Sequence, residues 1–325
     1  MKRISDDDLE AAVCVCGEPG ATPRRVQSRD EMTGRPFTYV QCAACGTDRV
    51  SPRPRPADIG GYYSDSYASH VVRPDSRAQQ VKHLIYRAFY APQNDLGPWR
   101  PLLQLLLYPL RGHCVMPFKP IQPRRVFEFG AATGNDLALF RAEGWAVDGC
   151  EPSARACQIA AQRGITIQNC PAEQAQLPPG GYSAVVLNNV LEHLHDPAAV
   201  LAKCAQGLMS GGSLILILPN HASWSARLFG GSWPGYDAPR HLWGFTPESL
   251  SAAVQRSGLV VDRVHHLFPG RWVWRSSLDG RHLATPVARW RIRHAAALSL
   301  ALLPFGWRAA AVGRGDFMTL VARKP

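Results

Sequence analysis

The feature that most narrows the possible folds is an alternation of strand and helix signals that begins at Arg124. Val126-Phe-Glu-Phe129 is a short apolar run with strand character that ends in a glycine-bearing turn, and Asp136 to Ala142 is expected to be helical. Ala146–Cys150 is a second expected strand, followed by a helix from Ser153 to Arg163 that Gly164 would stop. Further strands are expected at Ile165–Ile167, Ser183–Leu187, Ser213–Leu218, Leu259–Val264 and Phe317–Ala322, with helices at Pro197–Gly207 and Pro247–Ser257 between them. Short apolar strands separated by helices of about 10–12 residues predict βαβ units and an α/β fold: a Rossmann-like, doubly wound, mostly parallel sheet, here of seven strands. Residues 1–56 are expected to form a small cysteine-bearing module with a Pro-rich connector (Ser51-Pro-Arg-Pro-Arg-Pro56). Residues 57–123 read as a helical linker region cut by prolines, and 124–325 as the main domain with an insertion at 281–312.

Composition excludes several classes. Apolar residues make up 46% and charged residues 19%, enough for a large core and too few charges for a disordered chain. The longest apolar runs, such as Ala295–Leu303, are too short to cross a bilayer, and the acidic start Met1–Glu10 does not resemble a secretory signal, so a cytoplasmic protein is expected. Lys and Arg number 36 against 25 Asp and Glu, and from Arg263 onward ten Arg and one Lys face only Asp279 and Asp316. Such a field attracts phosphates, nucleic acid or an anionic membrane face. Arg289-Trp-Arg-Ile-Arg-His294 followed by an Ala/Leu stretch reads as a helix that packs on the domain, or that touches the inner membrane face peripherally.

Two places carry chemistry. In Glu128-Phe-Gly-Ala-Ala-Thr-Gly134, Gly130 and Gly134 sit where a strand turns into a helix, and a missing side chain lets a ligand lie on the backbone. Glu151 lies at the tip of the second strand, where a carboxylate can accept both hydroxyls of a ribose. The second place is the paired cysteines. Cys42-Ala-Ala-Cys45-Gly46 has the spacing of half a zinc knuckle, and Cys14-Val-Cys16-Gly17 is a tighter partner; the four thiolates are expected to hold a structural zinc ion. The remaining cysteines read as small buried hydrophobes.

The first of these motifs resembles that of class I S-adenosylmethionine-dependent methyltransferases. Val190-Leu-Glu-His-Leu-His-Asp-Pro197 is similar to the Leu-Glu-His segment of one branch of that superfamily, Gly211–Asn220 to its fifth strand, and Pro239–Thr246 to a later signature. The resemblance implies S-adenosylmethionine as cofactor. Glu128 would hold its amino group, Gly130 and Gly134 would admit the methionine portion, and Glu151 would take the ribose with Pro152 beside the adenine. Ala172 and Glu173 would bracket the ring, and Asn188 would approach the sulfonium. Ala132 stands where a middle glycine is usual, Pro171 where an aspartate often lies, and Ser183 where an acid is usual. A dinucleotide-binding Rossmann fold is the competing frame, but it wants a third glycine where Asp136 and Leu137 stand.

For the chemistry, His193 and His241 are the candidate general bases, since histidine titrates near neutrality. A catalytic metal is disfavoured because Asn189 occupies the place of the earlier acid found in some quinone-pathway relatives. Trp224, Trp233, Tyr236 and Trp243 are expected to roof an acceptor site, with Arg240 able to pair with a phosphate. The cysteine module resembles the zinc ribbon of methyltransferases from saccharide and nucleotide-sugar pathways. The expected acceptor is therefore a small-molecule or lipid-linked saccharide, methylated on oxygen. The alternatives are a quinone or aromatic hydroxyl, a keto-sugar methylated on carbon, and a zinc-containing nucleic-acid-binding protein with a degenerate methyltransferase fold. The last is disfavoured because the positive charge lies far in sequence from the cysteines.

Overall fold

The computed structural model describes residues 8–63, 77–91, 96–108, 117–118, 120–267 and 303–325. The expected insertion at 281–312 lies outside these residues except for its last ten. The first sixty residues supply β1 (Leu9–Glu10), β2 (Ala21–Arg29), β3 (Pro36–Cys42), β4 (Asp48–Val50) and β5 (Arg53–Pro54). Helices α1 (Arg77–Phe89) and α2 (Arg100–Leu107) precede β6 (Arg125–Phe129), α3 (Asn135–Ala142), β7 (Ala146–Cys150) and α4 (Ala154–Gln162). There follow β8 (Tyr182–Asn188), α5 (Pro197–Gly207), β9 (Leu208–Pro219), α6 (Trp224–Phe229), β10 (Trp243–Gly244), α7 (Pro247–Arg256), β11 (Val260–Leu267), α8 (Leu303–Ala311) and β12 (Phe317–Arg323).

The chain divides into two compact units. One comprises Ser64–Leu218, Ala253–Val264 and Thr319–Pro325; the other Met1–Tyr63, Pro219–Ala252 and His265–Met318. The first is built on a six-stranded sheet in the order β11-β12-β9-β8-β6-β7, with β6–β7, β6–β8 and β8–β9 parallel. Parallel strands covered by helices on both faces lose the in–out alternation of a surface sheet. Accordingly β8 is buried at every residue but the last, and β6 at every residue but the first. Val126, Leu137, Phe140, Val186 and Ile215 form part of the core, closed at one end by edge-on contacts of Trp145 with Phe118 and Phe140.

Helix boundaries follow local chemistry. The Ser153 hydroxyl accepts from Ala156 N–H at the start of α4, and Asp196 accepts from Ala199 N–H ahead of Pro197, the first residue of α5. The seventh strand expected at Ile165–Ile167 does not form. After Gly164 the chain has three residues before polar Gln168, and only an isolated parallel bridge joins Cys150 to Gln168. Gln168 N–H donates to Gly149 O and Glu151 N–H to Gln168 O. The central sheet therefore has six strands.

In the other unit a four-stranded sheet runs β10-β4-β3-β2, with β10–β4, β4–β3 and β3–β2 all antiparallel. Phe37, Tyr39, Val50, Tyr62, Trp233 and Tyr236 pack into its core. Among the described residues no helix is long and apolar enough to cross a membrane.

Candidate functional site

The turn after β6 takes three successive left-handed positions at alternate residues: Gly130 (φ +62°), Ala132 (φ +47°) and Gly134 (φ +72°). This geometry aims backbone N–H groups inward. Ala131 N–H donates to Cys150 O at 3.0 Å, tying the turn to the end of β7, and Ala132 N–H donates to Glu151 Oε2 at 3.1 Å. Gly130 has no room for a side chain: a Cβ there would lie 2.5 Å from Val190 Cγ2. Gly149 meets the same limit, 2.7 Å from the Glu128 carbonyl oxygen, where β6 and β7 run side by side.

Glu151 is 6% exposed and bridges two loops. Oε2 takes the Ala132 N–H and Oε1 the Ser153 N–H at 2.9 Å. Each carboxylate oxygen keeps a second lone pair for a ligand. Glu128 is 3% exposed, and among protein groups no hydrogen bond reaches its Oε2. Burial, with help from Asp136, raises its carboxyl well above the usual range, while the Lys82 ammonium pulls the other way. Asp136, in the first turn of α3, joins two neighbours: Lys82 Nζ at 3.3 Å from Oδ1, and the Asn188 amide, which donates to Oδ2 at 2.7 Å. Two bonded groups result, Ala132 with Glu151 and Lys82 with Asp136 and Asn188; Gly130 lies in the same turn as Ala132, Pro152 follows Glu151, and Glu128 is coupled by charge to Asp136, Lys82 and Glu151. Lys82 and Asp136 were not singled out in the sequence, where a lone lysine inside an amphipathic helix carries no local signal.

Gly134 is the residue ahead of α3, and a Cβ added there would lie 3.3 Å from Ile165 Cδ1. Ala172 is buried at the start of a short 3₁₀ turn, while Glu173 is exposed and its carboxylate accepts the His195 N–H at 3.3 Å. His193 lies half-buried on the 3₁₀ turn Leu191–His193 that follows β8.

His241 falls in the other unit and is 8% exposed. Its Nδ1 lies 2.8 Å from Gly235 O, and burial lowers its basicity against the opposing pull of Asp237. The expected aromatic roof is corrected here. Trp233 and Tyr236 are 1% exposed or less because they form the core of the unit that holds the small sheet; Trp243, 2% exposed, is paired with Arg49 on β10, and half-buried Trp224 lies against Phe305. Arg240 is likewise consumed by its own fold. It is 3% exposed, bonded to the Asp237 carboxylate and to Tyr62 O, with Asp30 at 3.6 Å. His221, which the sequence reading passed over, is buried at the centre of the same core. Its Nδ1 lies 3.1 Å from Asp48 Oδ2 and its Nε2 3.3 Å from Gly235 O.

The four cysteines of the N-terminal pairs converge. Their Sγ atoms all lie within 4.8 Å of one another, with Cys14–Cys45 at 3.5 Å and Cys16–Cys42 at 3.6 Å. A tetrahedron of thiolates about 2.3 Å from a zinc ion has S···S edges of about 3.8 Å, so the donor set and its spacing fit that metal. The single residue between Cys14 and Cys16 does not prevent closure. Burial pushes the Cys42 thiol up, but the Cys45 and Ala44 N–H groups and the Cys14 and Cys16 thiols outweigh it and bring it to about 7.

A sequence profile described as "Methyltransferase domain" matches residues 99–264, half of the chain. Among curated proteins, an enzyme of Ruegeria sp. (strain TM1040) named ubiquinone biosynthesis O-methyltransferase is 32% identical over 179 residues, covering 51% of this chain and 72% of that one. A protein of the same name from Cereibacter sphaeroides (strain ATCC 17025 / ATH 2.4.3) is 29% identical over the same shares. A solved SAM-dependent methyltransferase from Thermotoga maritima aligns over 75% of this chain and 100% of its own, at 19% identity and a TM-score of 0.46. The profile match and the parallel sheet with its glycine turn and acidic strand tip lead to one conclusion: this chain belongs to the class I S-adenosylmethionine-dependent methyltransferases.

Proposed function

We propose that the acceptor is a hydroxyl of a quinol-type aromatic ring, and that this chain methylates it on oxygen. The observation that carries the reading is the match to ubiquinone biosynthesis O-methyltransferases, at 32% identity across 72% of the Ruegeria protein. These relatives favour the aromatic-hydroxyl alternative over the saccharide expected on the sequence.

The cofactor supplies an electrophilic methyl group on a sulfonium sulfur. The chain's residues fit it. The spare lone pairs of Glu151 suit a ribose diol, and Pro152 and Ala172 offer apolar surface beside it. Glu128 Oε2, buried and without a hydrogen bond from the protein, suits the cofactor's ammonium, and a cation there would draw its carboxyl back toward the ionised form. Gly130, Ala132 and Gly134 leave the backbone open to the methionine portion, and Asn188 stands at the end of β8.

A phenolic hydroxyl titrates near 10, so transfer at neutral pH needs a base. His193 accepts the phenolic proton as the oxygen forms its bond to the methyl carbon. The S–CH₃ bond breaks with its electron pair staying on sulfur, and the imidazolium returns its proton to solvent. His241, kept neutral by burial, is the alternative base. The four cysteines would hold a zinc ion that cross-links the N-terminal strands, a structural role.

The test supplies methyl-labelled S-adenosylmethionine and, separately, catechol-headed phenols and nucleotide-sugars. Labelled methyl on a phenolic oxygen supports the reading; label on the sugar alone overturns it. His193→Ala should keep cofactor affinity and lower turnover about 10²-fold or more. A loss confined to His241→Ala would assign the base to that residue instead.

A further inference from the structure

Helix α2 is amphipathic in the reverse sense. Its polar side chains turn toward the protein: Arg100 donates to Ala88 O (Nε, 3.0 Å) and Ala91 O (Nη2, 3.1 Å), and the Gln104 amide donates to Ala88 O at 2.7 Å. These contacts satisfy carbonyls at the C-terminal end of α1, which has no further turn to accept. With that stripe inward, Leu102, Leu105 and Leu106 face outward, while Leu107 packs on the core. Trp99, Leu102, Leu105, Leu106 and Tyr108 are 66%, 47%, 74%, 64% and 55% exposed. At 100° per residue they occupy one half of the helix circumference, opposite Arg100 and Gln104. Their joint exposed area is on the order of several hundred Å², the size at which a patch marks an interaction site.

We infer that α2 is an interfacial anchor that lies on an anionic phospholipid leaflet. Three observations favour lipid as the occupant. The leucines are bracketed by Trp99 and Tyr108, side chains with an apolar body and a polar tip that suit the headgroup level. The eight-residue helix is too short to span a bilayer and long enough to bury one face in it. The sequence around it is basic: residues 77–125 hold eight Lys and Arg against Asp95 alone. Lys82 and Arg125 are held by Asp136 and Asp148, and an excess of five remains when those two acids are counted in. Each basic residue near such a surface contributes about 1 kcal/mol of attraction within a Debye length.

This inference stands on α2 alone and is independent of the acceptor: a soluble phenol would still be methylated if it failed. The test is co-sedimentation of the full chain with phosphatidylcholine vesicles and with phosphatidylcholine/phosphatidylglycerol vesicles at about 3:1. The variant is Leu105→Gln with Leu106→Gln, both exposed, checked for fold by its affinity for S-adenosylhomocysteine. The expected result is binding to the anionic vesicles that weakens with salt and falls at least fivefold in the variant. Absence of binding, or equal binding by the variant, overturns the inference. So does a dimer by light scattering that the variant dissociates, with no vesicle binding: the face would then belong to a second copy of the chain.

Discussion

Adding one methyl group to the turn after β6 should separate space from backbone conformation. Gly130 and Ala132 both adopt left-handed φ values, +62° and +47°, yet one is glycine and the other is not. An L-residue in that region bears about 1–2 kcal/mol of strain. At Gly130 the new Cβ would also lie 2.5 Å from Val190 Cγ2, an overlap that forces a shift in a packed site and adds about 1–3 kcal/mol. Lower entropy of the unfolded chain returns about 0.4–1 kcal/mol. Gly130→Ala should therefore lose about 1–4.5 kcal/mol, whereas Ala132→Gly, where relief of strain opposes the added entropy of the unfolded chain, should gain about 0–1.5 kcal/mol. Urea unfolding of the two variants side by side reads the difference, and titration with S-adenosylhomocysteine shows whether the turn still binds. Equal stability of the two variants would refute the claim that Val190 closes the turn against a side chain.

Other outcomes follow from single sites. Burial lifts the Asp316 carboxyl from 3.8 to about 6, against the pull of the nearby Ser225 and Ser223 hydroxyls and the Trp233 indole. The folded state therefore holds this proton more tightly than the unfolded one. Stability from it is complete below about pH 4 and is lost as pH rises through 6. Asp316→Asn should raise stability at pH 7 by up to about 3 kcal/mol and remove the fall in the urea midpoint that Asp316 causes between about pH 4 and pH 6. Gly244→Ala would place a Cβ 1.9 Å from His221 Nδ1 and should cost about 3 kcal/mol or more, read by thermal unfolding. Chelation that strips metal from the purified protein should lower the melting temperature, and zinc should restore it; less than about half an equivalent of zinc in native protein would count against the cysteine site.

The parts of the fold legible in the sequence are those where local chemistry and burial agree. Ala184–Leu187 in β8 and Leu214–Leu218 in β9 are buried, so they form unbroken apolar runs, and Ser153, Asp196 and Gly164 mark helix ends by side-chain bonds or backbone freedom. Ile165–Ile167 has the composition of a strand, but the polar stretch at Gln168 arrives before a ladder can form, and a single bridge remains. β2, with its exposed arginines, has no apolar alternation to announce it. β10 pairs with β4 across more than half the length of the chain, a contact with no local cue. The site shows the same division. Glu128, Gly130 and Glu151 are visible because strand tips and tight turns constrain residue type, while Lys82 reaches Asp136 only through the packing of α1. Trp233 and Tyr236 mimic a ligand roof in sequence because a small sheet with few strands must recruit distant aromatics to close its core.

The proposed cofactor site depends on the Glu151 carboxylate, which joins the turn to α4 and would offer its remaining lone pairs to a ribose. Calorimetric titration of S-adenosylhomocysteine into the parent and into Glu151→Gln tests it directly. The parent should bind one equivalent. The variant, lacking a charge-assisted hydrogen bond of about 1.5–3 kcal/mol, should bind about 10- to 100-fold more weakly. Equal dissociation constants for the two proteins would contradict the account.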